Sequence, residues 1–336
     1  MKIYQKKFYK MNTSINNLLK EYRKRRNFNP ESYLHEKAKL LNQYMRDCGL
    51  DTCVIALSGG LDSSITTGIA SYAKTIKNSP IKKILALSIP SNNEGATNQE
   101  IATEKGLNVA NHFNVDFKTI EIGNNINSFS DNICDSVDLK KDNWSLGQSV
   151  AYYRTATIYS VTAILTANNY RPIVIGTTNR DEGAYIGYFG KASDGMVDIQ
   201  LISDIHKSEV IQLAKYFSLP DNIITDSPTG DMYDGRLDEE VFGVPYDFVE
   251  FYTEYLTDKD FYEQKLIELN SLDYFLEMSK NLENMHKYNG HKYLGASPAV
   301  HLDIKESRIT NGWKYNVYNG KTKECDSPNF GNHKDW

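Results

Sequence analysis

The chain has 336 residues, 40% hydrophobic and 24% charged, which is enough apolar material for a packed core and excludes whole-chain disorder. A formal net charge of −5 argues against a protein devoted to nucleic acid, which needs a basic face. No apolar run reaches the roughly 18 residues of a membrane span.

The basic start, MKIYQKKFYKMNTSINN, lacks the apolar stretch of a signal peptide. Cys48, Cys53, Cys134 and Cys325 form no CxxC pair, so neither a zinc site nor a disulfide framework is expected, and the setting reads as reducing and cytoplasmic. The basic stretch from Lys20 to Arg26 reads as a solvated helix face in preference to a phosphate or nucleic-acid contact. Asn29-Pro30-Glu31 is a helix start, with a cap, a proline at the first position and an early acid, and the helix should run to about Cys48.

Strands and helices then alternate. Strands are expected at Thr52–Leu57, Ile84–Ile89, Val115–Ile122 and Pro172–Gly176. Helices are expected at Ser64–Lys77, Asn98–Ala110, Gln148–Asn168 and Lys207–Phe217. This order implies an α/β fold: a doubly wound, mostly parallel sheet with helices on both faces. Residues 246–289 read as two or three further helices, and Trp313–Tyr318 followed by Asn319-Gly320 as a short β-hairpin in the tail.

The strongest chemical signal is Ser58-Gly59-Gly60-Leu61-Asp62-Ser63, directly after the first strand and opening a helix. Two glycines let backbone approach an anion, and the loop and helix N–H groups suit phosphate. Ser58 and Ser63 add hydroxyl donors. Asp62 would repel phosphate unless a cation lies between them, which points to Mg²⁺. The loop is neither a Walker A nor a GxGxxG sequence. A second cluster runs Gly176-Thr177-Thr178-Asn179-Arg180-Asp181-Glu182, then Gly187 to Gly195 (GYFGKASDG), Asp198, and Asp204 to Glu209 (DIHKSE). It is too long and too rich in Gly and charge for a plain connector. Lys207 opens a helix, where a cation opposes the helix dipole, so a ligand role is favoured.

The SGGLDS loop resembles the PP-loop of the ATP pyrophosphatases. The order GTxNxxE, GYFxKxxDG, Asp and helix-opening Lys, with Pro228-Thr229-Gly230-Asp231, Asp238-Glu239-Glu240 and GVPYDF downstream, is similar to the NAD synthetase family over about residues 38–300. The resemblance implies an ammonia-dependent ligase that converts deamido-NAD, ATP and ammonia to NAD, AMP and pyrophosphate through an adenylated nicotinate. A PP-loop ligase amidating a different carboxylate is the alternative, followed by a non-catalytic nucleotide-binding protein. It also implies a layout of 1–37 as a basic helical extension, 38–300 as the synthetase-like domain and 301–336 as a C-terminal extension.

Carried over position by position, the resemblance assigns ATP to Ser58, Gly59, Gly60, Asp62, Ser63, Ser88, Pro90, Thr177, Lys207 and Thr229. Asp62 and Glu182 would hold Mg²⁺. Deamido-NAD would meet Gln148, Tyr152, Arg154, Lys191, Asp194, Asp198, His291 and Lys292. His291-Lys292 is preferred to His286-Lys287 as the pair that closes the site, because Pro298 lies nearer to it. Asp194, Lys207 and Asp62 are the expected catalytic groups, Asp194 as general base toward ammonia. Tyr152 stands where the family pattern has an arginine, and Ser88 where many members do. The family further implies a homodimer with substrate at the interface. The absence of an amidase segment before residue 38 leads to the expectation that ammonia comes from solution or from a separate glutaminase.

Overall fold

The computed structural model describes residues 10–91, 99–230, 235–292 and 299–304, and the backbone of 316–318. Helix α1 (Thr13–Arg26) starts where the Asn12 side chain accepts from Ile15 N at 2.8 Å. Helix α2 (Pro30–Asp47) begins as expected, on the Asn29 cap with Pro30 at its first position. There follow β1 (Thr52–Ala56), α3 (Leu61–Thr75), β2 (Lys83–Ser88), α4 (Gln99–His112), β3 (Asp116–Thr119), α5 (Gly123–Val137), α6 (Asn143–Ala167) and β4 (Pro172–Gly176). Next come α7 (Arg180–Gly183), β5 (Ile199–Gln200), α8 (Lys207–Tyr216), α9 (Asp221–Ile224), α10 (Asp238–Phe242), α11 (Tyr246–Tyr255), α12 (Lys259–Glu268) and α13 (Leu272–Asn289). Strands β6 (Val300–Leu302) and β7 (Asn316–Tyr318) complete the sheet.

The long helix expected from Gln148 starts five residues earlier. Asp142 accepts Ser145 N–H at 2.8 Å while Ser145 Oγ accepts Asp142 N–H at 2.9 Å, a reciprocal cap. Helix α5 was not expected, since its Asn- and Ser-rich sequence weakens the helical signal. Its apolar residues Ile126, Phe129, Ile133 and Val137 nevertheless recur at helical spacing.

The seven strands form one parallel sheet in the order β3-β2-β1-β4-β5-β6-β7. Alternate side chains feed opposite faces. Cys53, Ile55, Ile84, Ala86, Ile173 and Ile175 join one core with α2, α3 and α8; Val54, Leu85 and Leu87 join the other with α5 and α6. The segment expected in a tail hairpin pairs in parallel with β6, and the Asn319-Gly320 turn lies outside the described residues, as do Asp231 and Pro298.

Order reverses between β1 and β4, so the connections leaving their C-terminal ends part to opposite sides and leave a crevice. The SGGLDS loop leaves β1 there and the GTTNRDE segment leaves β4, which is why two motifs 118 residues apart in sequence meet.

A third hydrophobic cluster lies in the helices. Ile15, Leu18, Leu19 and Tyr22 of α1 pack with Phe248, Phe251, Tyr252 and Tyr255 of α11 and Phe275 and Met278 of α13. This corrects the reading of Lys20–Arg26 as a solvated face. Lys20, Lys24 and Arg25 are exposed, but Arg23 pairs with Asp247 and Glu250, and Arg26 with Glu209 and the Asp204 carbonyl. The charge pattern suggested solvent because its acidic partners lie about two hundred residues away in sequence.

Lys37 is fully buried. It donates to Asp204 Oδ1 at 2.9 Å and to the Leu302 carbonyl, while Asp204 also accepts from Tyr33 OH at 2.7 Å and Ile304 N at 3.0 Å. Contacts thus cross both expected domain limits. No helix among the described residues is long and apolar enough to cross a membrane.

Candidate active site

The phosphate loop begins at Ser58 and runs into α3. Ser58 Oγ accepts from Gly60 N at 3.2 Å and lies 3.1 Å from Ser63 Oγ, which donates to the Gly60 carbonyl at 3.0 Å. Gly59 has φ +80°, and a Cβ there would fall 2.6 Å from the Ala102 carbonyl and 2.8 Å from Gly106 N. This glycine is demanded by α4, whose backbone passes against the loop, and by its left-handed conformation. Gly60, with ordinary φ, caps α3, and a Cβ there would meet only Ser58 Oγ, at 3.3 Å.

Asp62, in the first turn of α3, meets two groups from the other motif. Its Oδ1 accepts from Asn179 Nδ2 at 3.0 Å and its Oδ2 from Lys207 Nζ. Asn179 Nδ2 also reaches Glu182 Oε1 at 2.7 Å, and Lys207 Nζ lies 3.5 Å from the same oxygen. Tyr246 OH is placed between Glu182 Oε1 at 2.9 Å and Asp238 Oδ2 at 2.8 Å, and Tyr188 OH donates to Asp238 Oδ1 at 3.1 Å. Lys207 also sits 5.0 Å over the Tyr246 ring. One buried ammonium thus faces three carboxylates.

The balance is anionic. Burial raises the Glu182 pKa to about 8; Lys207 opposes the rise, and the charges of Asp62 and Asp238 add to it. Burial likewise raises Asp238, against hydrogen bonds from Tyr246 and Tyr188 and the charge of Lys207. For Lys207, burial would lower the pKa, but Asp62 and Glu182 outweigh it and hold the ammonium charged.

Behind the cluster, Asp181 Oδ2 accepts Lys207 N–H at 2.8 Å and thereby caps α8, while Asp181 Oδ1 lies 2.6 Å from His206 Nδ1. His206 Nε2 lies 2.8 Å from Tyr22 OH. All three side chains are buried.

The KASDG loop is fastened by Gln200, whose Nε2 donates to the Asp194 carbonyl at 2.9 Å and whose Oε1 accepts Thr178 N–H at 3.3 Å. Gly176 has to be glycine beside it, since a Cβ would lie 2.6 Å from Val197 Cγ2. Lys191 and Asp194 are exposed. Lys292 donates to the Gly187 carbonyl at 2.8 Å and to the Phe189 carbonyl; burial lowers its pKa to about 8, and Asp194 acts against that shift. Lys292 therefore latches the loop that carries Asp194. His291, exposed, reaches only the Tyr288 carbonyl among the described contacts, whereas His286 stacks on Tyr185 at 3.9 Å.

Several other expected site residues also make contacts within the fold. Arg154 donates to the Ile89 carbonyl at 2.9 Å and to Gln99 Oε1 at 3.0 Å, bracing the exit of β2. Asp198 accepts Val174 N–H at 2.7 Å and Tyr159 OH at 3.1 Å, splicing β5 to β4. Ser88 pairs with Thr103 at 2.9 Å, the Pro90 carbonyl accepts from Ile122 N at 3.0 Å, and Thr229 donates to the Arg236 carbonyl at 3.3 Å. Thr177 is half-buried at the end of β4. Gln148 and Tyr152 share one face of α6 with Trp144, at four-residue spacing, and Tyr152 is 48% exposed.

Sequence reasoning missed Asn179, Asp181, His206, Asp238 and Tyr246 as site-shaping groups. Asn179 and Asp181 stood inside a motif already singled out, and Asp238 and Tyr246 in the downstream segments. What the sequence lacked was any mark of which side chains would converge.

The excess of buried negative charge has a measurable consequence. Below pH 4.5 Glu182 is protonated in both folded and unfolded chains. Between 4.5 and about 8 the folded chain retains a proton that the unfolded chain has released, so stability falls as pH rises through that window. Thermal melts of the ligand-free Glu182→Gln variant should show a higher Tm than the parent at pH 8 and little difference near pH 4.5. An equal or lower Tm at pH 8 would contradict the electrostatic account.

With this geometry in place, comparison with known proteins is informative. The sequence profile of the NAD synthase family matches residues 33–295. The NH(3)-dependent NAD(+) synthetase of Thermoplasma volcanium is 30% identical over 225 residues, which cover 65% of this chain and 84% of that protein. That of Methanocaldococcus jannaschii is 27% identical over 262 residues, 76% of this chain and 94% of the other. Among solved structures, the NMN synthetase of Francisella tularensis superposes with a TM-score of 0.61 at 25% identity, covering 79% of this chain and 96% of that one. The NH3-dependent NAD synthetase of Campylobacter jejuni superposes at 0.57 and 21% identity, covering 79% and 96%, and supports the fold. The doubly wound sheet, the loop at its switch point and a profile spanning most of the sequence together make this chain a member of the NAD synthase family.

Proposed function

We propose that the chain is an ammonia-dependent NAD synthetase. The carboxylate of deamido-NAD attacks the α-phosphorus of ATP, pyrophosphate leaves, and ammonia then attacks the acyl carbon, expelling AMP and leaving the amide of NAD. The observation that carries this reading is the Asp62–Lys207–Glu182 cluster at the mouth of the Ser58–Ser63 loop.

Bringing two anions together requires positive charge at the reacting phosphate. Lys207, held charged in the crevice, is one source. The donor set suits a hard divalent cation as well: Asp62 and Glu182 offer carboxylate oxygens around a point where a cationic nitrogen already sits, with Asp238 behind them. Asp62 and Glu182 would hold Mg²⁺, which supplies charge neutralisation at the triphosphate. The loop N–H groups at the start of α3 and the hydroxyls of Ser58 and Ser63 orient the phosphates. Thr177, Thr229, Ser88 and Pro90 are proposed to border the rest of the nucleotide.

Lys191, Asp194, Asp198, Gln148, Tyr152, Arg154, His291 and Lys292 are proposed to surround the deamido-NAD acceptor, with Asp198 and Arg154 acting through the strands they brace. The α5–α6 face supports a homodimer: Val150 alone is buried along α6, while Phe129, Ile133, Trp144, Tyr152 and Ile164 are all exposed. A reading with a mononucleotide acceptor is favoured by the likeness to the Francisella NMN synthetase and by the neutral Tyr152 on the acceptor side.

The deciding experiment incubates the protein with ATP, Mg²⁺ and ammonium, and with either deamido-NAD or nicotinate mononucleotide. Mass spectrometry should find AMP and NAD, with deamido-NAD the better acceptor and glutamine a poor substitute for ammonium. ADP as the stoichiometric product would sink the assignment, and preference for the mononucleotide would establish the second reading.

Asp194→Asn should lose about 100- to 10,000-fold in amide formation while still releasing pyrophosphate without ammonia, with partial recovery at higher pH, where free NH₃ is more abundant. Equal loss in both steps would make Asp194 a positioning group. Sedimentation at micromolar protein should give a dimer, and Tyr152→Glu together with Ile164→Glu should give a monomer. A monomeric parent would remove the α5–α6 interface.

A further inference from the structure

Helix α1 lies ahead of the family-matched segment, yet it reaches the back of the catalytic cluster. The chain of contacts is short and entirely buried: Tyr22 OH to His206 Nε2, His206 Nδ1 to Asp181 Oδ1, and Asp181 Oδ2 to the Lys207 amide. We infer that Tyr22 is a positioning residue for the adenylation step, fixing through His206 and Asp181 where Lys207 and Glu182 stand. The inference rests on the activity proposed above.

The hydrogen positions support one arrangement. Burial keeps the His206 imidazole neutral, so it carries a single N–H. If Tyr22 donates its hydroxyl proton to Nε2, the N–H must be on Nδ1, where it donates to Asp181. Asp181 Oδ2 is then free to accept the Lys207 N–H. Without the Tyr22 hydroxyl, Nε2 is a buried acceptor with no donor. The ring then has no partner on that side to fix its tilt, and the Nδ1–Asp181 Oδ1 contact at 2.6 Å is left as its one described hydrogen bond. A ring held at one end only can rotate about that contact, and Asp181 loses the fixed partner that sets its position. Asp181 immediately precedes Glu182 and caps the helix that presents Lys207, so both move with it.

Helix α1 is well anchored for such a role. Arg23 holds Glu250 and Asp247 on α11, the helix whose Tyr246 touches Glu182, and Arg26 holds Glu209 on α8, the helix that opens with Lys207. The hydroxyl therefore arrives from a helix clamped to two walls of the site.

The test uses Tyr22→Phe in the full chain, which keeps the ring and deletes the oxygen, beside Leu19→Ala, which weakens α1 packing without touching the relay. For Tyr22→Phe we expect deuterium exchange at the Lys207 amide to quicken about tenfold or more. AMP formation should lose about tenfold or more in kcat, with KM for ATP within about threefold, the scale of a displaced catalytic group. Leu19→Ala should lower Tm and leave kcat unchanged. His206→Asn keeps a donor near the Nδ1 position, so adding Tyr22→Phe to it should cost less than about twofold, the non-additivity expected of groups in one network.

Unchanged kcat and amide exchange in Tyr22→Phe, or losses that multiply in the double variant, would overturn the inference. If the parent protein makes no AMP with either acceptor, the proposed activity fails. Exchange at the Lys207 amide and ATP affinity by calorimetry then still decide whether Tyr22 holds the site.

Discussion

The site is organised around one unfavourable arrangement, three carboxylates gathered about a single ammonium in a crevice that excludes most water. Asp62 comes from the helix after β1, Glu182 from the turn after β4 and Asp238 from the helical region, and Lys207 answers all three. Ion pairs of this kind are weak contributors to stability, because desolvation offsets most of the attraction. They persist here through hydrogen bonds that satisfy the remaining lone pairs: Asn179 between Asp62 and Glu182, Tyr246 between Glu182 and Asp238, and Tyr188 on Asp238.

Parallel sheet geometry supplies the place for this cluster. Strands β1 and β4 are neighbours, and their outgoing loops diverge, so the crevice exists before any side chain is considered. The walls are then keyed by close backbone contacts. Gly59 lets α4 lie against the phosphate loop, and Gly176 lets Gln200 reach both Thr178 and the Asp194 carbonyl. Lys292 performs a comparable task from the end of α13, joining the helical region to the loop that carries Asp194.

Much of this was legible in the sequence, and the reasons are local. Short apolar runs between helical segments announced the parallel sheet, and Pro172–Gly176 was placed to the residue. The loop Ser58–Ser63 and the helix-opening Lys207 were readable because their chemistry is unusual for their position. Arg154 and Asp198 show the limit: Arg154 donates to the Ile89 carbonyl and the Gln99 side chain, and Asp198 accepts from the Val174 amide, partners that no motif encodes. Tyr22 and His206 show it more sharply. A tyrosine in a basic helix and a histidine before a lysine are unremarkable until the fold closes 184 residues of separation between them.

The buried pair of Lys37 and Asp204 bears on the order in which the molecule is made. Lys37 donates to the Leu302 carbonyl, 265 residues later, and Asp204 accepts from Ile304 N, 100 residues after it. A chain emerging from the ribosome can assemble β1 to β4 early, but these two charges stay incompletely partnered until β6 is synthesised and slides beside β5. Contacts of such sequence separation are slow to form. They make β6 a late piece of the sheet, so the segment that leads from Asp204 into Lys207 gains its full set of contacts only after residue 304 has been made. A nascent chain stopped before residue 300 would carry every group of the SGGLDS loop while Lys37 and Asp204 still lacked the partners that β6 and Ile304 bring.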